Sequence, residues 1–388
     1  MYKRVVLIVL DGVGVGALPD AVAYGDEAAA TLPHIAQAVG GLSLPHLAKM
    51  GLGHVVSIAG VEPEVLPQGY WGKMAERSSG KDSVTGHWEL SGVILDQPFA
   101  TFPEGFPEEI IAVFTSVTSL TPLGNVAESG TDILRRLGEE HLRTGRPIIY
   151  TSSDSVFQIA AHEQIIPPEK LYAICHQVEE ILLPYNVCRV IARPFVGSCR
   201  DDFRRTDGRR DFPRRPTQPT LLERLQSAGL ATGGVGKIKD LFAGQGLSRV
   251  WSTSNNTEGM CCTLEALEEI ITGLVMTNLV DFDMLYGHRS DVAGFAAALE
   301  AFDAWLPQLL RCLTENDLLL ITADHGCDPT MPGTDHTREY VPLLVWSPRI
   351  AGAGSLGIRQ TYADVAATIA DIFSIDGVFG ESFLADLT

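Results

Sequence analysis

The sequence predicts an α/β protein built on a mostly parallel sheet that is flanked by helices on both faces. Strand-type runs that are apolar throughout alternate along the chain with amphipathic stretches, in which apolar residues recur with helical spacing. Strands without a polar face are typical of sheets buried between two layers of helices. The predicted strands are 4–12, 146–154, 188–195, 278–287, 317–326 and 341–348, and the clearest predicted helices are 263–276 and 292–313.

The chain is long enough for more than one compact core. It has 388 residues, whereas a single hydrophobic core usually stops growing at about 250–300 residues. The stretch 96–216 differs in texture, since it opens with Pro- and Phe-rich sequence (DQPFATFPEGFPEE) and closes with Arg-rich sequence (CRDDFRRTDGRRDFPRRPTQPT). We therefore expect a discontinuous core domain over 1–95 and 217–388, with a smaller α/β cap domain inserted over 96–216.

Composition and charge exclude several classes of partner. Hydrophobic residues make up 45% and charged residues 20% of the chain, which is an ordinary globular composition. The formal net charge of −19 repels phosphate backbones and anionic lipid surfaces. We therefore expect neither nucleic acid nor membrane as a partner, and nothing in the sequence implies a protein partner.

The N-terminus and the cysteines predict a cytoplasmic protein. The apolar run VVLIVL is short, meets Asp11 and has no small-residue cleavage site, so it indicates a strand rather than a signal peptide. No apolar run reaches the roughly 18 residues typical of a membrane helix. The seven cysteines show no CxxC spacing, which argues against a disulfide framework or a zinc knuckle.

Three predicted strands end in carboxylate or imidazole side chains. In chain order, these residues are Asp11, Asp283, His288, Asp324 and His325. The carboxyl ends of parallel strands meet at one edge of the sheet, where open α/β folds bind their ligands. We expect the five side chains to converge there, together with His336 from the Gly- and Pro-containing loop that follows the last of these strands.

A set of six such side chains is about what two divalent metal ions need, if each ion takes three protein ligands and keeps positions open for substrate oxygens. Aspartate and histidine without cysteine suit Mn²⁺, Zn²⁺ or Mg²⁺. Each residue also has a plainer explanation, because an isolated Asp11 is typical of a turn or helix N-cap and an isolated His336 of an ordinary surface or core position. The recurrence of the pattern at three strand ends favours the two-metal centre.

One glycine-rich motif indicates a different class of protein. GVGVGA at 12–17 follows a strand and fits the G-x-G-x-x-G/A fingerprint of a nucleotide-binding dehydrogenase or of a non-catalytic phosphosugar-binding protein. Against that interpretation, Pro19 and Gly25 interrupt the helix that should follow, and the second strand ending in an acidic residue is missing. GGVGK at 233–237 also fails as a phosphate-binding loop, because it lacks the flanking Gly and Ser or Thr.

The segment SSGKDSVTGHWELSG (78–92) supplies a candidate nucleophile. A metal ion lowers the pKa of a nearby Ser or Thr hydroxyl and prepares it to attack phosphorus. Thr85 is followed by Gly86, which permits close approach of the backbone. A capping box at Thr85 is disfavoured, since Trp88 stands where Glu or Gln is needed. Thr85 is therefore the predicted catalytic residue.

Together these segments resemble the alkaline phosphatase superfamily and, within it, the bacterial phosphopentomutase family. The resemblance lies in VLDGVGVGALPDA, GKDSVTGHWE, TSSDSVFQIAAHE, VDFDMLYGHRSDVAGF and TADHGCDPTMPGTDHTREYVP, which are spread along the whole chain. It implies an alkaline-phosphatase-like core with an inserted cap. The predicted metal ligands and Thr85 all match the family's pattern.

The resemblance also implies how the ligands divide and what the enzyme does. One Mn²⁺ would be held by Asp11, Asp324 and His325, and the other by Asp283, His288 and His336. Thr85, facing the first ion, would carry phosphate. The family interconverts ribose 1-phosphate or 2-deoxyribose 1-phosphate with the 5-phosphate through a bisphosphate intermediate, activated by glucose 1,6-bisphosphate or a pentose bisphosphate. A metal-dependent phosphohydrolase or a phosphoglycerate mutase is the alternative within the superfamily.

The Arg-rich end of the predicted cap supplies candidates for substrate binding. Residues 189–215 hold nine Arg and four Asp, and guanidinium groups match phosphate oxygens in pairs. A mutase must hold the phosphate that is not reacting and keep water out. We expect Arg193 and Arg209 to do so, with Ser152 next and Lys237 last. The alternative for each Arg is a solvated hairpin of Arg–Asp pairs.

Overall fold

The computed structural model describes residues 2–152 and 155–387. The strands are β1 (Arg4–Leu10), β2 (Tyr70–Met74), β3 (Leu123–Ala127), β4 (Ile148–Thr151), β5 (Val156–His162), β6 (Arg189–Val196), β7 (Arg204–Arg205), β8 (Arg210–Pro213), β9 (Ala231–Val235), β10 (Arg249–Trp251), β11 (Gly273–Leu279), β12 (Asp317–Thr322), β13 (Val341–Trp346) and β14 (Gly354–Arg359). The α-helices are α1 (Thr31–Val39), α2 (Pro45–Lys49), α3 (Leu52–Val55), α4 (Ser83–Leu90), α5 (Glu108–Thr118), α6 (Gly130–Thr144), α7 (Pro168–Leu182), α8 (Leu221–Ser227), α9 (Ile238–Leu241), α10 (Asn256–Glu269), α11 (Val292–Cys312) and α12 (Ala363–Phe373). A π-helix spans Phe282–Tyr286 and a 3₁₀ turn spans Gly287–Arg289.

The chain folds into two compact units. Unit 1 comprises Met1–Gln97 and Pro216–Thr388, and unit 2 comprises Pro98–Arg215. Each unit has its own sheet and its own buried apolar side chains. Among the helices of the described residues, none has both the length and the apolar character that crossing a membrane requires.

Unit 1 is built on a mostly parallel sheet, and the predicted α/β fold class is confirmed. The strands lie in the order β10-β9-β11-β1-β12-β13-β2-β14, and among these β13 runs antiparallel to its neighbours β12 and β2. The sequence of β1, RVVLIVL, is buried along its whole length. Its single charged residue, Arg4, is neutralised by a two-point ion pair with Asp317 at 2.8 and 2.9 Å.

The register of the central strands brings their carboxyl ends to the same level. Leu10 at the end of β1 pairs with Leu279 at the end of β11, and Val9 pairs with Thr322 at the end of β12. The chain therefore leaves all three strands along one edge of the sheet, where ligand sites of open α/β folds form. The candidate site lies at this edge.

Two predicted elements are wrong in their limits. The strand predicted over 278–287 is β11, which starts at Gly273, and the π-helix follows it. The helix predicted over 263–276 is α10, which ends before β11 because Gly273, with φ of +126°, adopts a conformation that no α-helix contains. The apolar run 273–279 is short, and the spacing of apolar residues in such a run is compatible with either a buried strand or a buried helix.

Unit 2 contains the second sheet, with strands in the order β3-β4-β5-β6-β7 and with β8 paired to β6. The parallel pair β5 and β6 is covered by α5 and α7, and Phe114 and Phe157 belong to the apolar cluster between them. The strand predicted over 146–154 is β4, and the last two residues of that range, Ser153 and Asp154, lie outside the described residues. The cap role of unit 2 stays a prediction.

Candidate metal centre

All six side chains that were predicted as metal ligands lie at the carboxyl edge of the unit 1 sheet. They are placed by β1 (Asp11), the π-helix (Asp283), the 3₁₀ turn after it (His288), the end of β12 (Asp324 and His325) and the loop before β13 (His336). The three carboxylates are buried. A π-helix is rare and occurs frequently at functional sites.

The first group consists of Asp11, Asp324 and His325. His325 Nε2 lies 3.4 Å from Asp11 Oδ1 and 3.4 Å from Asp324 Oδ2, and all three side chains are fully buried. The three residues offer ligand atoms that all lie within 4.8 Å of one another. This spacing suits three ligands of one ion.

The second group consists of Asp283, His288 and His336. Asp283 Oδ1 lies 3.3 Å from His288 Nε2 and 3.2 Å from His336 Nε2. The groups adjoin each other, because the rings of His325 and His336 have centroids 4.0 Å apart. The sulfhydryl of Cys327, which the sequence analysis did not consider as a ligand, also lies within reach of Asp283 and His288.

Hydrogen bonds to the backbone hold two of the imidazoles in the form that binds metal. His288 Nδ1 donates to the Thr334 carbonyl at 2.5 Å, and His325 Nδ1 donates to the Gly326 carbonyl at 3.0 Å. A carbonyl oxygen only accepts, so Nδ1 carries a proton and Nε2 is the nitrogen left to bind a metal ion. In both residues Nε2 is the atom that faces the carboxylates, as expected for a metal-ligating histidine.

Two buried carboxylate oxygens lack a well-aligned hydrogen-bond donor. Among the described residues, Asp283 Oδ1 and Asp324 Oδ2 have no well-aligned hydrogen-bond donor, and they are flanked by His336 Nε2 at 3.2 Å and His87 Nδ1 at 3.1 Å respectively. A buried polar atom without a partner costs about 1–3 kcal/mol, and more when it is charged. Each of these oxygens belongs to a different ligand group, so a cation in each group would satisfy both. The donor set therefore fits two divalent metal ions.

The ionisation of the acidic residues also favours cations. Burial alone would raise the pKa of Asp11, but Lys237 and His325 hold the pKa of this carboxyl below its ordinary value. Burial would likewise raise the pKa of Asp283, and the imidazoles of His288 and His336 hold it well below its ordinary range. Both carboxylates are therefore ionised at neutral pH.

Lys237, the last of the predicted phosphate-binding candidates, lies against both ligand groups. Its Nζ is 3.3 Å from Asp11 Oδ2 and 3.9 Å from Asp283 Oδ2. Although burial opposes the charged form, the neighbouring carboxylates, with Asp11 foremost, raise the pKa of Lys237. An ammonium group at this position can neutralise an anion that approaches the metal centre.

Thr85 lies in the first turn of α4, which Asp82 caps. The Thr85 hydroxyl donates to Asp82 Oδ2 at 2.6 Å, and the side chain is buried. The next residue, Gly86, faces the end of β12 so closely that a Cβ built on it would lie 2.1 Å from the Asp324 carbonyl oxygen. Gly86 thus allows the backbone of α4 to approach the first ligand group closely.

Ser83 is a second hydroxyl at this place, and the sequence analysis missed it. Its Oγ lies 3.1 Å from His325 Nε2 and 3.4 Å from Asp11 Oδ1. It starts the same helix two residues before Thr85, which is a signal that could have identified it. Any assignment of a nucleophile has to distinguish these two hydroxyls.

The substrate-binding candidates of the Arg-rich segment lie in unit 2. Arg193 Nε donates to Gln158 Oε1 at 3.0 Å. Arg209 forms a two-point ion pair with Asp211 at 2.7 and 2.8 Å, which is the pairing that the alternative interpretation expected. Ser152 directly follows β4 and is half-buried.

A positive cluster surrounds Arg193. Burial and the charge of Arg209 lower the pKa of Arg193, which places these two guanidinium groups near each other. The structure adds Arg205, whose Nη2 donates to the Tyr150 hydroxyl at 3.4 Å. Burial raises the pKa of Tyr150, so this phenol stays neutral beside the cations. Tyr150 and Arg205 carried no sequence signal of their own.

The glycine-rich loop 12–17 encloses a carboxylate of the protein itself. Gly16 N donates to Glu339 Oε2 at 2.9 Å, and a Cβ on Gly14 would lie 2.4 Å from the same oxygen. Glu339 is buried and also accepts from the Thr31 hydroxyl at 2.6 Å. The glycines therefore serve internal packing, and the dinucleotide interpretation loses the feature on which it rested.

The chain is similar over nearly its whole length to known phosphopentomutases. It is 59% identical to the phosphopentomutase of Syntrophotalea carbinolica, over 99% of this chain and 98% of that relative. It is 55% identical to the phosphopentomutase of Caldanaerobacter subterraneus subsp. tengcongensis, over 100% of this chain and 98% of that relative. A model of the metalloenzyme superfamily matches residues 3–377.

Two solved structures share the fold at low sequence identity. A phosphoglycerate mutase from Leishmania mexicana has a TM-score of 0.50 and 13% identity, over 97% of this chain and 96% of that chain. A protein from Pyrococcus horikoshii has a TM-score of 0.50 and 15% identity, over 98% of this chain and 100% of that chain. These likenesses concern the fold alone, and they agree with the predicted alkaline-phosphatase-like core.

Proposed function

The chain belongs to the phosphopentomutase family of metalloenzymes, and from this premise we propose that Thr85 carries the phosphate which the enzyme moves between the 1- and 5-positions of ribose or 2-deoxyribose. The family that the sequence resembled is confirmed, and the chain is an intramolecular phosphotransferase of the isomerase class. The observation that best supports Thr85 is that its side chain is buried and that the next residue of α4, Gly86, packs closely against Asp324 of the first ligand group.

We assign the two ligand groups to two Mn²⁺ ions or other divalent ions. Asp11, Asp324 and His325 would hold the first ion, and Asp283, His288 and His336 would hold the second. Bound there, the ions would neutralise charge on the phosphoryl group and lower the pKa of the attacking hydroxyl. The two carboxylate oxygens without a well-aligned donor and the orientation of Nε2 in His288 and His325 support this assignment.

The chain's own groups prepare Thr85 for transfer. Its hydroxyl proton already has an acceptor, Asp82 Oδ2, at 2.6 Å. Asp82 is itself fixed because its Oδ1 accepts the backbone N–H groups of Val84 and Thr85 at 3.0 and 3.1 Å. Lys237 supplies positive charge for the oxygens of the transferred group. These contacts hold the nucleophile in one orientation before substrate arrives.

In the proposed reaction, one phosphoryl group leaves Thr85 and another returns to it. Phosphorylated Thr85 gives its phosphoryl group to the free hydroxyl of a pentose phosphate, which yields a pentose bisphosphate and frees the Thr85 hydroxyl. After the bisphosphate has reoriented, Thr85 takes its other phosphoryl group, so each turnover ends with the enzyme phosphorylated. Glucose 1,6-bisphosphate or a pentose bisphosphate would supply the first phosphoryl group as activator.

Unit 2 is proposed to hold the phosphate that is not reacting. Arg193 and Arg209 would bind it, with Ser152 as a further hydrogen-bond donor, because guanidinium groups match phosphate oxygens in pairs. The ion pair with Asp211 uses Nε and Nη2 of Arg209, so phosphate would bind through Nη1. Covering the substrate in this way would also exclude water, which would otherwise take the phosphoryl group.

We expect the enzyme to act on small pentose phosphates in the cytoplasm. The seven cysteines include the adjacent pair Cys261 and Cys262 and show no CxxC spacing, which fits a reducing compartment. Neither the net charge of −19 nor the ligand chemistry favours nucleic acid or a membrane surface.

Phosphopeptide mapping tests the phosphothreonine. The protein is incubated with MnCl₂ and glucose 1,6-bisphosphate, and intact mass and fragment spectra are recorded for wild type, Thr85→Ala and Ser83→Ala. We expect one added phosphoryl group on Thr85, absent from Thr85→Ala and present in Ser83→Ala. A phosphoryl group on Ser83, or one that survives Thr85→Ala, would overturn the assignment.

Product analysis separates a mutase from the hydrolase alternative. With ribose 1-phosphate as substrate, we expect ribose 5-phosphate to appear without inorganic phosphate. Release of phosphate in step with substrate loss would identify a phosphohydrolase instead. Parallel turnover of a phosphoglycerate as the preferred substrate would indicate the other alternative.

A further inference from the structure

Two buried side chains that are not among the predicted ligands lie behind Asp11. Asn278 belongs to the end of β11 and His87 belongs to α4, and both are almost completely buried. Asn278 Nδ2 lies 3.0 Å from Asp11 Oδ2 and 3.3 Å from His87 Nε2. His87 Nδ1 lies 2.8 Å from the Ser83 carbonyl oxygen and 3.1 Å from Asp324 Oδ2, which belongs to the first ligand group as well. A continuous chain of contacts therefore runs from the backbone of α4 to a ligand of the first group.

The chemistry of these groups allows the contacts one direction only. The Ser83 carbonyl can only accept, so His87 Nδ1 carries the proton and donates it. His87 Nε2 then has a lone pair, and it accepts one N–H of the Asn278 amide. The second N–H of that amide donates to Asp11 Oδ2. Both amide protons of Asn278 are used.

The Asn278 side chain is oriented so that both of its N–H groups donate hydrogen bonds while its carbonyl oxygen has no partner in the part of the chain that the structure describes. Among the described residues, its Oδ1 is buried without a hydrogen-bond partner. Rotating the amide would bring this oxygen against the Asp11 carboxylate and remove both donated hydrogen bonds. The residue thus leaves its carbonyl unsatisfied in order to present both N–H groups, one of them to Asp11.

These contacts give the two carboxylate oxygens of Asp11 different surroundings. Oδ2 is held from behind by Asn278 and by Lys237, while Oδ1 faces His325 Nε2 at 3.4 Å. The amide has a fixed direction, whereas the ammonium of Lys237 is a point charge on a flexible chain. We propose that Asn278 and His87 are positioning residues of the first metal site. Asn278, oriented by His87, turns Asp11 so that Oδ1 is the ligand atom.

The same contacts tie the metal site to the nucleophile. His87 takes its orientation from Ser83, at the start of the helix that carries Thr85 two residues later. A shift of α4 would therefore move His87, then Asn278, and then Asp11. This inference rests on the proposed function only in requiring that the first group binds a divalent ion.

Metal affinity gives a readout that does not depend on turnover. Free Mn²⁺ is measured by electron paramagnetic resonance while the protein is titrated with the metal. The titration compares His336→Ala, in which the first site remains intact, with the double variant His336→Ala and Asn278→Ala. Loss of an outer contact of this kind typically lowers metal affinity by about 10–100-fold, and we expect that loss here. Thr277→Val is the matched control, since it removes a buried hydrogen bond to Thr263 (2.9 Å) from the neighbouring position of β11.

A pair of variants at His87 tests the direction of the contacts. In His87→Gln the side-chain carbonyl can replace Nε2 as acceptor for Asn278, so affinity should stay within about threefold of the unsubstituted value. In His87→Leu the acceptor is lost and the affinity should fall as in Asn278→Ala. If Asn278→Ala does not fold, Asn278→Leu is titrated in its place, because a change at Asn278 leaves the contact between His87 and Asp324 intact.

Failure of this inference differs from failure of the proposed function. Unchanged first-site affinity in both Asn278→Ala and His87→Leu would overturn the positioning role, as would an equal loss in Thr277→Val. A wild-type protein that binds no Mn²⁺ at the first group would contradict the proposed function itself.

Discussion

His336 Nε2 lies 3.1 Å from His288 Nε2, although 48 residues separate the two in the chain. Asp283 Oδ1 completes a triangle with them at 3.2 and 3.3 Å. Because His288 donates its Nδ1 proton to the Thr334 carbonyl, its Nε2 is the ring nitrogen that faces the other two atoms. A carboxylate oxygen and two imidazole nitrogens at these distances match the ligands that divalent metal ions take from proteins.

Removal of His336 should therefore remove one metal ion. We expect wild type to retain two Mn²⁺ per chain and His336→Ala to retain one, because two ligands are too few to hold an ion firmly. Mutase kcat should fall by about a hundredfold or more, since several kcal/mol of transition-state stabilisation would be lost. Metal content after gel filtration, measured together with kcat, checks both expectations.

His54→Ala serves as the control for this experiment. His54 stacks on Trp71 with ring centroids 4.5 Å apart and belongs to neither ligand group. The control should keep both ions and full activity. Two ions bound with wild-type affinity in His336→Ala would contradict the assignment of this residue.

Gly86→Ala should destabilise the protein and weaken its metal binding. In an α-helix this change is normally favourable by about 1 kcal/mol, but here the new Cβ would lie 2.1 Å from the Asp324 carbonyl oxygen. Since that atom is backbone, α4 must move away from β12, at a cost of about 3 kcal/mol. Urea unfolding and Mn²⁺ titration measure the two effects.

A second glycine provides the comparison. Gly259 lies inside α10, and a Cβ there would meet the tip of a side chain, Leu279 Cδ2, at 2.7 Å. A leucine side chain can shift more easily than backbone, so Gly259→Ala should cost less than Gly86→Ala and leave metal affinity unchanged. Equal effects of the two substitutions would show that proximity to Asp324 is not the cause.

The sequence predicted the six ligand candidates because strand ends are visible in it. Asp11 directly follows an apolar run, and parallel strands of matched register place such residues at one edge. The register, in which Leu10 pairs with Leu279, could not be predicted from the pattern of apolar residues. The predicted limit of the helix near Gly273 was wrong because the pattern does not show where a buried helix ends and a buried strand begins. Apolar runs indicate burial, but they do not indicate partner strands.

The residues that surround the ligands were not predictable. Asn278 lies inside an apolar strand, where one polar residue has no periodicity, and its partner His87 is far away in the chain. The loop 12–17 matched a nucleotide fingerprint because glycines permit close approach to any anion, and here that anion is Glu339. The contacts made by residues around the ligands depend on which distant segments of the chain pack together, and short sequence motifs carry no information about that packing.

Arg193→Lys should weaken substrate binding more than catalysis. A lysine keeps the charge but loses the guanidinium fork, and a charge-assisted hydrogen bond to phosphate contributes about 1.5–3 kcal/mol. We expect KM for ribose 1-phosphate to rise about 10–100-fold with kcat little changed, as for a contact made equally in ground and transition states. Arg204→Lys is the control, since Arg204 is 72% exposed and pairs with Asp202. An unchanged KM in Arg193→Lys would exclude this residue from the site.

His141 should make the stability of the protein depend on pH. Its Nδ1 donates to the Arg146 carbonyl at 2.6 Å, and its Nε2 accepts the His162 backbone N–H at 2.8 Å, so the folded state holds it neutral. Burial lowers the pKa of His141, and the Arg146 carbonyl offsets this only in part. In the unfolded chain the imidazole titrates near about pH 6.5.

The sign of the effect follows from which state binds the proton. Above its pKa in the unfolded chain, the His141 imidazole is neutral in both the folded and the unfolded state, and it contributes no pH dependence. Below that pKa, the imidazole binds a proton in the unfolded chain but stays neutral in the folded protein. The contribution of His141 to stability should therefore fall as the pH is lowered from about 7.5 to about 5.5. In His141→Gln, whose carbonyl can still accept the His162 N–H, the free energy of unfolding in urea should fall less over that range. His176→Gln, at an exposed histidine paired with Glu179, should keep the wild-type dependence, and identical pH slopes for wild type and His141→Gln would mean that the buried imidazole takes up its proton in the folded state as well.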